Sequence, residues 1–329
     1  MSEPTNYSSL NVKVYNGYGH SSNCIVYGHV LKGKPFSRKK YSNNSLVNII
    51  HLVRLFFVRP VAGQAVQLQW RNQQFSCETE KDGFFKFEWQ PAEKIHAGWH
   101  DLKVYAINKK GGVVSSGEGK ILVPHMTQYA FISDIDDTVI ISHSATKFRR
   151  LRVMFTRNPH TRKAFENVVK FYQELSRTFT KDNVPNPFFY VSSSEWNLYD
   201  DLAEFFKHNE LPEGVMLLNQ IKRWYQLFKT GTTKHQGKLV RVVRILENFP
   251  QHKFILLGDN SQSDPDIYVS IANKYPGRIA AIYIRNIATH HENKTTEALN
   301  ALDDKSISTF QYIQNSDAIL HAKGTGLIA

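Results

Sequence analysis

The chain has 329 residues, enough for two domains with separate cores, and its 41% hydrophobic and 12% aromatic content is that of an ordinary globular protein. Its two cysteines, Cys24 and Cys77, exclude a disulfide framework and a zinc site, and are expected to be small buried residues in a reducing compartment. Net charge is +12, and residues 4–77, 138–165 and 214–246 contain no Asp or Glu but carry nine, seven and seven Lys or Arg. Basic surface of this kind concentrates an anionic substrate. It also suits nucleic acid, but no helix-turn-helix, zinc-finger or aromatic RNA-binding motif accompanies it, so a nucleic-acid partner is not expected.

The N-terminus lacks the basic and apolar regions of a secretory signal, and no apolar run approaches the roughly 20 residues that span a bilayer. A soluble, cytoplasmic chain is the expectation. Up to about residue 125 the pattern reads as short strands: Val12–Tyr15, Cys24–Val30, Val66–Trp70, Phe85–Trp89, Leu102–Ile107 and Lys120–Val123. Apolar and polar residues alternate in several of them, and turn residues separate them, which predicts a small all-β sandwich over 1–125. Val47–Val58 is apolar apart from Asn48, His51 and Arg54. It reads either as a buried element of that domain or as a segment lying on an anionic bilayer.

From residue 126 to 329 strand and helix patterns alternate. Strands are expected at Tyr129–Ile132, Pro187–Val191, Phe254–Leu257 and Ile279–Ile284, and helices at 162–178, 196–208, 238–248 and from Pro265. That alternation predicts a mostly parallel sheet with helices on both faces. Ser133-Asp134-Ile135-Asp136-Asp137-Thr138 follows the first of these strands, placing two carboxylates at its carboxyl tip, where open α/β sheets bind ligands. An acidic turn is the plain alternative. The chemical reading makes one carboxylate a nucleophile toward phosphorus and the other a proton donor, with hard oxygen ligands available for Mg²⁺.

Gly258-Asp259 ends another strand, near enough for Asp134 and Asp259 to share a cation; Gly258 would permit a sharp exit, and Asp264 before Pro265 reads as a helix cap. Ser192, first off the strand ending at Val191, can donate to a phosphoryl oxygen. Capping is the reading preferred for Ser193 and Ser194, with Ser193 kept beside Ser192 as a candidate phosphate ligand. Lys238 at the head of an amphipathic helix can neutralise nucleophile and phosphate, with Lys234 the competing choice. Arg149, Arg150 and Arg152 are candidate head-group contacts, and Arg285 past the last strand is another; solvated surface is the alternative for each.

Strand-DxDxT, strand-Ser, Lys-helix and strand-GDxxxxD occur in that order, a pattern that resembles the haloacid dehalogenase-like phosphatase superfamily. Ser133–Thr138, residues 158–162 (NPHTR), 190–199 (YVSSSEWNLY), Phe249-Pro250 and 264–268 (DPDIY) are similar to the phosphatidate phosphatases of the yeast actin-patch type and their bacterial relatives. The likeness extends weakly to residues 15–19 and 98–100. It implies a haloacid dehalogenase-like Rossmannoid sheet and an aspartyl-phosphate mechanism. Asp134 would be the nucleophile, and Asp136 the acid and then the base. Asp134, the backbone carbonyl of Asp136, and Asp259 would hold Mg²⁺. Ser192 and Lys238 would bind the phosphoryl group, and Thr138 would brace the loop; Asp137 has no assigned chemistry beyond supporting it.

Glu195, Gly237 and residues 260–262 depart from that family pattern, which bears on substrate identity more than on reaction type. The function expected is therefore Mg²⁺-dependent hydrolysis of a phosphomonoester, phosphatidate first, with peripheral contact to an anionic membrane open. The alternatives are a phosphatase of a soluble or protein-borne phosphate, or an acidic-lipid or nucleic-acid-binding module with a vestigial phosphatase domain.

Overall fold

A computed structural model describes residues 9–33, 44–127, 129–141, 158–180, 184–221 and 234–328. The chain divides into two compact units, one of residues 1–39 with 54–124 and the other of residues 40–53 with 125–329.

In the first unit the strands are β1 (Leu10–Val14), β2 (Gly17–His20), β3 (Asn23–Lys32), β4 (Ala65–Trp70), β5 (Gln73–Glu78), β6 (Phe84–Trp89), β7 (Gly98–Ile107) and β8 (Val113–Val123). Pairing runs β1-β3-β2-β8-β7-β4-β5, with β6 added to β3. Period-two alternation makes its core: Val66, Leu68 and Trp70 of β4, Phe85, Phe87 and Trp89 of β6, and Leu102 and Val104 of β7 share one buried cluster. Gly17 sits against its neighbour strand so closely that a Cβ there would lie 2.2 Å from the Ile25 carbonyl oxygen. β2 and β5 are absent from the sequence expectation; both are short and carry few branched apolar residues.

Residues 47–58 do not form a buried element of that unit. They belong mostly to a helix, α1 (Ser45–Phe56), of which residues up to Val53 cluster with the second unit. Asn48, His51, Leu52 and Phe56 are buried, whereas Leu46, Val47, Ile50 and Arg54 are exposed.

The second unit carries six parallel strands: β9 (Tyr129–Ser133), β10 (Phe188–Glu195), β11 (Val215–Asn219), β12 (Lys253–Asp259), β13 (Ile279–Arg285) and β14 (Ser308–Tyr312). Their order is β11-β10-β9-β12-β13-β14. Counted along this unit the order is 3-2-1-4-5-6, so the chain reverses direction across the sheet beside β9. Residues Phe188–Val191 and Phe254–Leu257 are buried on both sides of the sheet, which explains their unbroken apolar runs. β11 and β14 were not expected: the first is a four-residue apolar run, and the second, STFQY, is polar enough to read as a loop.

The helices are α2 (Val168–Arg177), α3 (Tyr199–His208), α4 (Lys234–Asn248), α5 (Asp264–Lys274), α6 (Glu292–Asn300) and α7 (Asn315–Gly324). α2 starts six residues later than its periodicity suggests. Asn158 Oδ1 accepts from the His160 and Thr161 N–H groups, Ile140 bridges Ala164, and Asn167 is left-handed at φ 58°, so residues 158–167 are spent on a turn and a bridge. From there Val168, Phe171, Tyr172 and Leu175 give the buried i, i+3, i+4, i+7 face. Among the described residues no helix is long and apolar enough to cross a membrane.

Candidate active site

Parallel β9 and β12 are in register, with Ser133 opposite Leu257, and the Asp134 N–H donates to the Leu257 carbonyl at 2.8 Å. Asp134 therefore leaves the sheet directly beside the reversal in strand order, where a crevice opens at the carboxyl ends. The chain then folds back tightly. Val139 and Ile140 N–H both reach the Ile135 carbonyl, the Asp137 N–H reaches the Ile140 carbonyl, and Asp137 adopts φ 59°. A buried Asp in the left-handed region is the turn that re-aims the loop, consistent with the supporting part expected for it.

Asp134, Asp259 and Asp264 are all buried, and each offers an oxygen within 4.8 Å of the others'. Three carboxylates so close repel one another, and Lys238 from the first turns of α4 answers them. Its Nζ donates to Asp134 Oδ1 at 2.7 Å and to Asp264 Oδ1. Burial pushes the Asp134 carboxyl well above the usual range, opposed by Lys238 and reinforced by its acidic neighbours. Burial, then Asp264, pushes Asp259 up to about 7, although the Ser261 N–H donates to its Oδ1 at 2.6 Å. Burial would lower the Lys238 ammonium, but Asp134 and Asp264 together hold it above its ordinary value.

Asp264 does not cap its helix. It is the first residue of α5, makes no capping hydrogen bond, and turns inward to Lys238 and to the Asp259 N–H at 3.4 Å. Gly258 likewise is no sharp exit, since β12 continues through it; a Cβ there would lie 2.6 Å from Asp264 Oδ2. The glycine leaves room for the carboxylate.

Asp136 lies two residues on and is the partly exposed member of the group. Its Oδ2 accepts from Ser192 Oγ at 3.1 Å and from Ser194 Oγ at 2.7 Å. β10 runs on through Glu195, so Ser192 and Ser194 share one face and Ser193 points to the other. Neither Ser193 nor Ser194 is a helix cap, and Ser193 is not brought to Asp136. Ser194 is the site residue the sequence reading assigned to the wrong task; strand periodicity carried past Val191 would have found it.

Arg285, expected at the substrate, is 1% exposed. Its guanidinium donates to the Thr138 and Ile313 carbonyls and to Asn315 Oδ1, and stacks on Phe165 and Tyr312. Through these contacts it braces the loop from beneath. Thr138 is fully buried, its hydroxyl without a hydrogen-bond partner among the described residues, and enters the site through that carbonyl. Arg241, one turn beyond Lys238, donates to the Ser192 carbonyl at 3.1 Å and is a further cation the sequence reading passed over. Arg149, Arg150 and Arg152 lie outside the described residues, as does the Lys234 side chain.

Replacing Ser194 by Ala removes a hydrogen bond to a carboxylate, an interaction worth about 1.5–3 kcal/mol. The expected result is a fall in kcat of roughly tenfold with KM little changed. The basic limb of the pH–rate profile also moves to higher pH, because the lost donor favoured the carboxylate form of a group that must start protonated. Ser194→Thr restores both, and an unmoved pH profile would reduce Ser194 to packing.

The fold and site define an α/β domain with an acidic cluster, countered by one buried lysine, at the switch point of a 3-2-1-4-5-6 sheet. Residues 129–286 match the family model described as "Phosphatidate phosphatase APP1, catalytic domain", which covers β9 to just past β13 and every site residue named above. Phosphatidate phosphatase APP1 of Saccharomyces cerevisiae is 30% identical over 183 residues, 52% of this chain and 29% of that protein. An uncharacterised Schizosaccharomyces pombe protein is 25% identical over 183 residues, 53% of this chain and again 29% of its own length. The resemblance read from the motifs is thus to the APP1-type phosphatidate phosphatases, over about half of this chain and under a third of those relatives. Among solved structures, a carbohydrate acetylesterase of Xanthomonas citri covers 92% of this chain and 68% of its own at 10% identity, with a TM-score of 0.30.

Proposed function

We propose that this chain is a Mg²⁺-dependent phosphomonoester hydrolase working through an aspartyl-phosphate, with phosphatidate as substrate. On this reading the second unit is a haloacid dehalogenase-like domain, the strands before residue 125 form a β-sandwich accessory domain, and the protein works in the cytoplasm against a membrane surface. The observation that carries it is the division of labour between Asp134, buried against Lys238, and Asp136, partly exposed and held by two hydroxyls. The yeast relative is named a phosphatidate phosphatase, which favours that substrate over a soluble one.

Asp134 Oδ attacks phosphorus while the bond from phosphorus to the alcohol oxygen breaks, and Asp136 gives that oxygen its proton. Asp136, now a carboxylate, takes a proton from water as the water oxygen attacks phosphorus. The bond to Asp134 breaks, releasing phosphate and restoring the starting carboxylate. Lys238 offsets charge on the nucleophile and on the phosphoryl oxygens. In this proposal Ser192 leaves Asp136 to donate to the phosphoryl group.

The donor set fits a hard cation. Asp134 Oδ2 and Asp259 Oδ2 are buried and have no hydrogen-bond partner among the described residues, while Lys238 and the Asp259 N–H occupy the two oxygens of Asp264. Asp134 and Asp259, with the Asp136 carbonyl, would hold Mg²⁺, which when bound neutralises charge on the transferring group.

Two measurements test this. Phosphate release from phosphatidate in mixed micelles is expected to require Mg²⁺ and to exceed release from soluble monoesters. A preference for soluble monoesters would remove the lipid, and no release from any of a broad panel would favour a chain that only binds. Protons and Mg²⁺ compete for Asp259, whose carboxyl sits at about 7 without the ion. The rise in Tm on adding Mg²⁺ is therefore expected to be larger at pH 8 than at pH 6. An equal rise at both would place the cation elsewhere.

A further inference from the structure

Helix α1 is inside out. A helix packed on a core buries its apolar stripe, yet here the buried face carries Asn48 and His51 beside Leu52 and Phe56. The outward face presents Leu46, Val47 and Ile50, with exposures of 68, 47 and 53%. Leu46, Val47 and Ile50 make a stripe at i, i+1 and i+4, one side of a helix at 3.6 residues per turn. Three of the ten exposed large hydrophobic side chains among the described residues lie on this helix. The inversion has a cause on the buried side: His51 Nε2 lies 3.3 Å from Asp201 Oδ1, and Arg162 Nη2 lies 3.9 Å from Asp201 Oδ2, all three residues buried. Those contacts hold His51 inward and leave Leu46, Val47 and Ile50 facing solvent.

We propose that this face of α1 docks on the surface of an anionic bilayer, lying in the interface plane. The charge argues for that occupant. α1 contains no acidic residue, Arg54 is exposed on it, and no Asp or Glu occurs from residue 4 to 77, where nine Lys or Arg do. An apolar stripe with a basic flank suits the boundary between acyl chains and anionic head groups. Twelve residues make a helix of about 18 Å, too short to span the roughly 30 Å hydrocarbon core, so it lies on the membrane rather than through it. The docking deepens the lipid-phosphate reading and rests on it for its purpose, not for its geometry.

The test is co-sedimentation of the full chain with phosphatidylcholine vesicles, with and without phosphatidylglycerol, neither lipid carrying a phosphomonoester. The wild type is expected to bind the phosphatidylglycerol vesicles. Leu46→Glu with Ile50→Glu is expected to weaken that binding by about tenfold or more, and Arg54→Gln by a few-fold, more at low salt than at high. Turnover of a soluble monoester and the thermal midpoint stay unchanged, and Val47→Asn, a milder change on the same face, repeats the loss should the double variant fold poorly. No binding by the wild type, or equal binding by the variants, overturns the proposal. So does a self-association that the same variants abolish, since the occupant is then a second copy. Vesicle binding without phosphatidate turnover instead overturns only the substrate assignment.

Discussion

If Asp134 is the nucleophile as proposed, Asp134→Asn lowers phosphate release by at least about 10⁴-fold, the scale of losing a nucleophile that acts as one unit with its neighbours. The protein stays folded, and the reason lies in the environment of Asp134. Burial and the carboxylates of Asp264, Asp259 and Asp136 all work against its charge, with Lys238 alone in its favour. An amide of the same shape removes that repulsion while Lys238 keeps Asp264, so Tm is expected to be unchanged or raised, as often happens when a site held for function is neutralised. The Mg²⁺-dependent rise in Tm shrinks in the same variant, because an oxygen without a protein partner has lost its charge. Circular dichroism, thermal melting and a phosphate assay on one preparation decide the matter. Turnover above a tenth of wild type would mean that another group attacks phosphorus.

The part of this site legible in the sequence is the part fixed by local pattern. Asp134 and Asp136 follow from an apolar strand with acids at its tip, and Asp259 from a second such strand; the sheet then makes them neighbours. Lys238 was reachable because the helical stripe of Leu239, Val242 and Leu246 already orients α4. Where local rules compete with distant partners they mislead. Asp264 before a proline and Ser194 near a helix start look like caps, but a buried lysine from 26 residues away and an aspartate from 58 away claim them. Arg285 shows the converse: a cation beside a strand end looks like a phosphate ligand until β14, too polar to be read as a strand, covers it with Tyr312. The inversion of α1 was equally out of reach, because its buried His51 is held by Asp201, 150 residues downstream.

Lys238→Met tests the other half of the charge balance, and its largest effect is on stability. Removing one member of a buried charged group leaves its partners uncompensated, at a cost of about 3–5 kcal/mol. With three buried carboxylates left facing one another, the upper part of that range applies, a fall of roughly 10 °C in Tm for a unit of this size. The loss depends on pH in a defined direction. Without Lys238 the native cluster holds its protons more tightly still, while the unfolded chain releases them near the ordinary value of about 3.9. Stability therefore declines as pH rises above that value, and the variant is expected to approach wild type near pH 5 and to differ most at pH 8. Added Mg²⁺ recovers part of the deficit at pH 8, because the ion supplies the missing positive charge to the same oxygens. Phosphate release does not recover with it, since in the proposed mechanism Lys238 also offsets charge on the transferring group. Lys238→Arg is expected to fail as well: a planar fork does not reproduce one compact ammonium between Asp134 Oδ1 and Asp264 Oδ1. A Met variant as stable as wild type at pH 8 would show that the carboxylates are already protonated there, and that Lys238 is not what keeps the nucleophile charged.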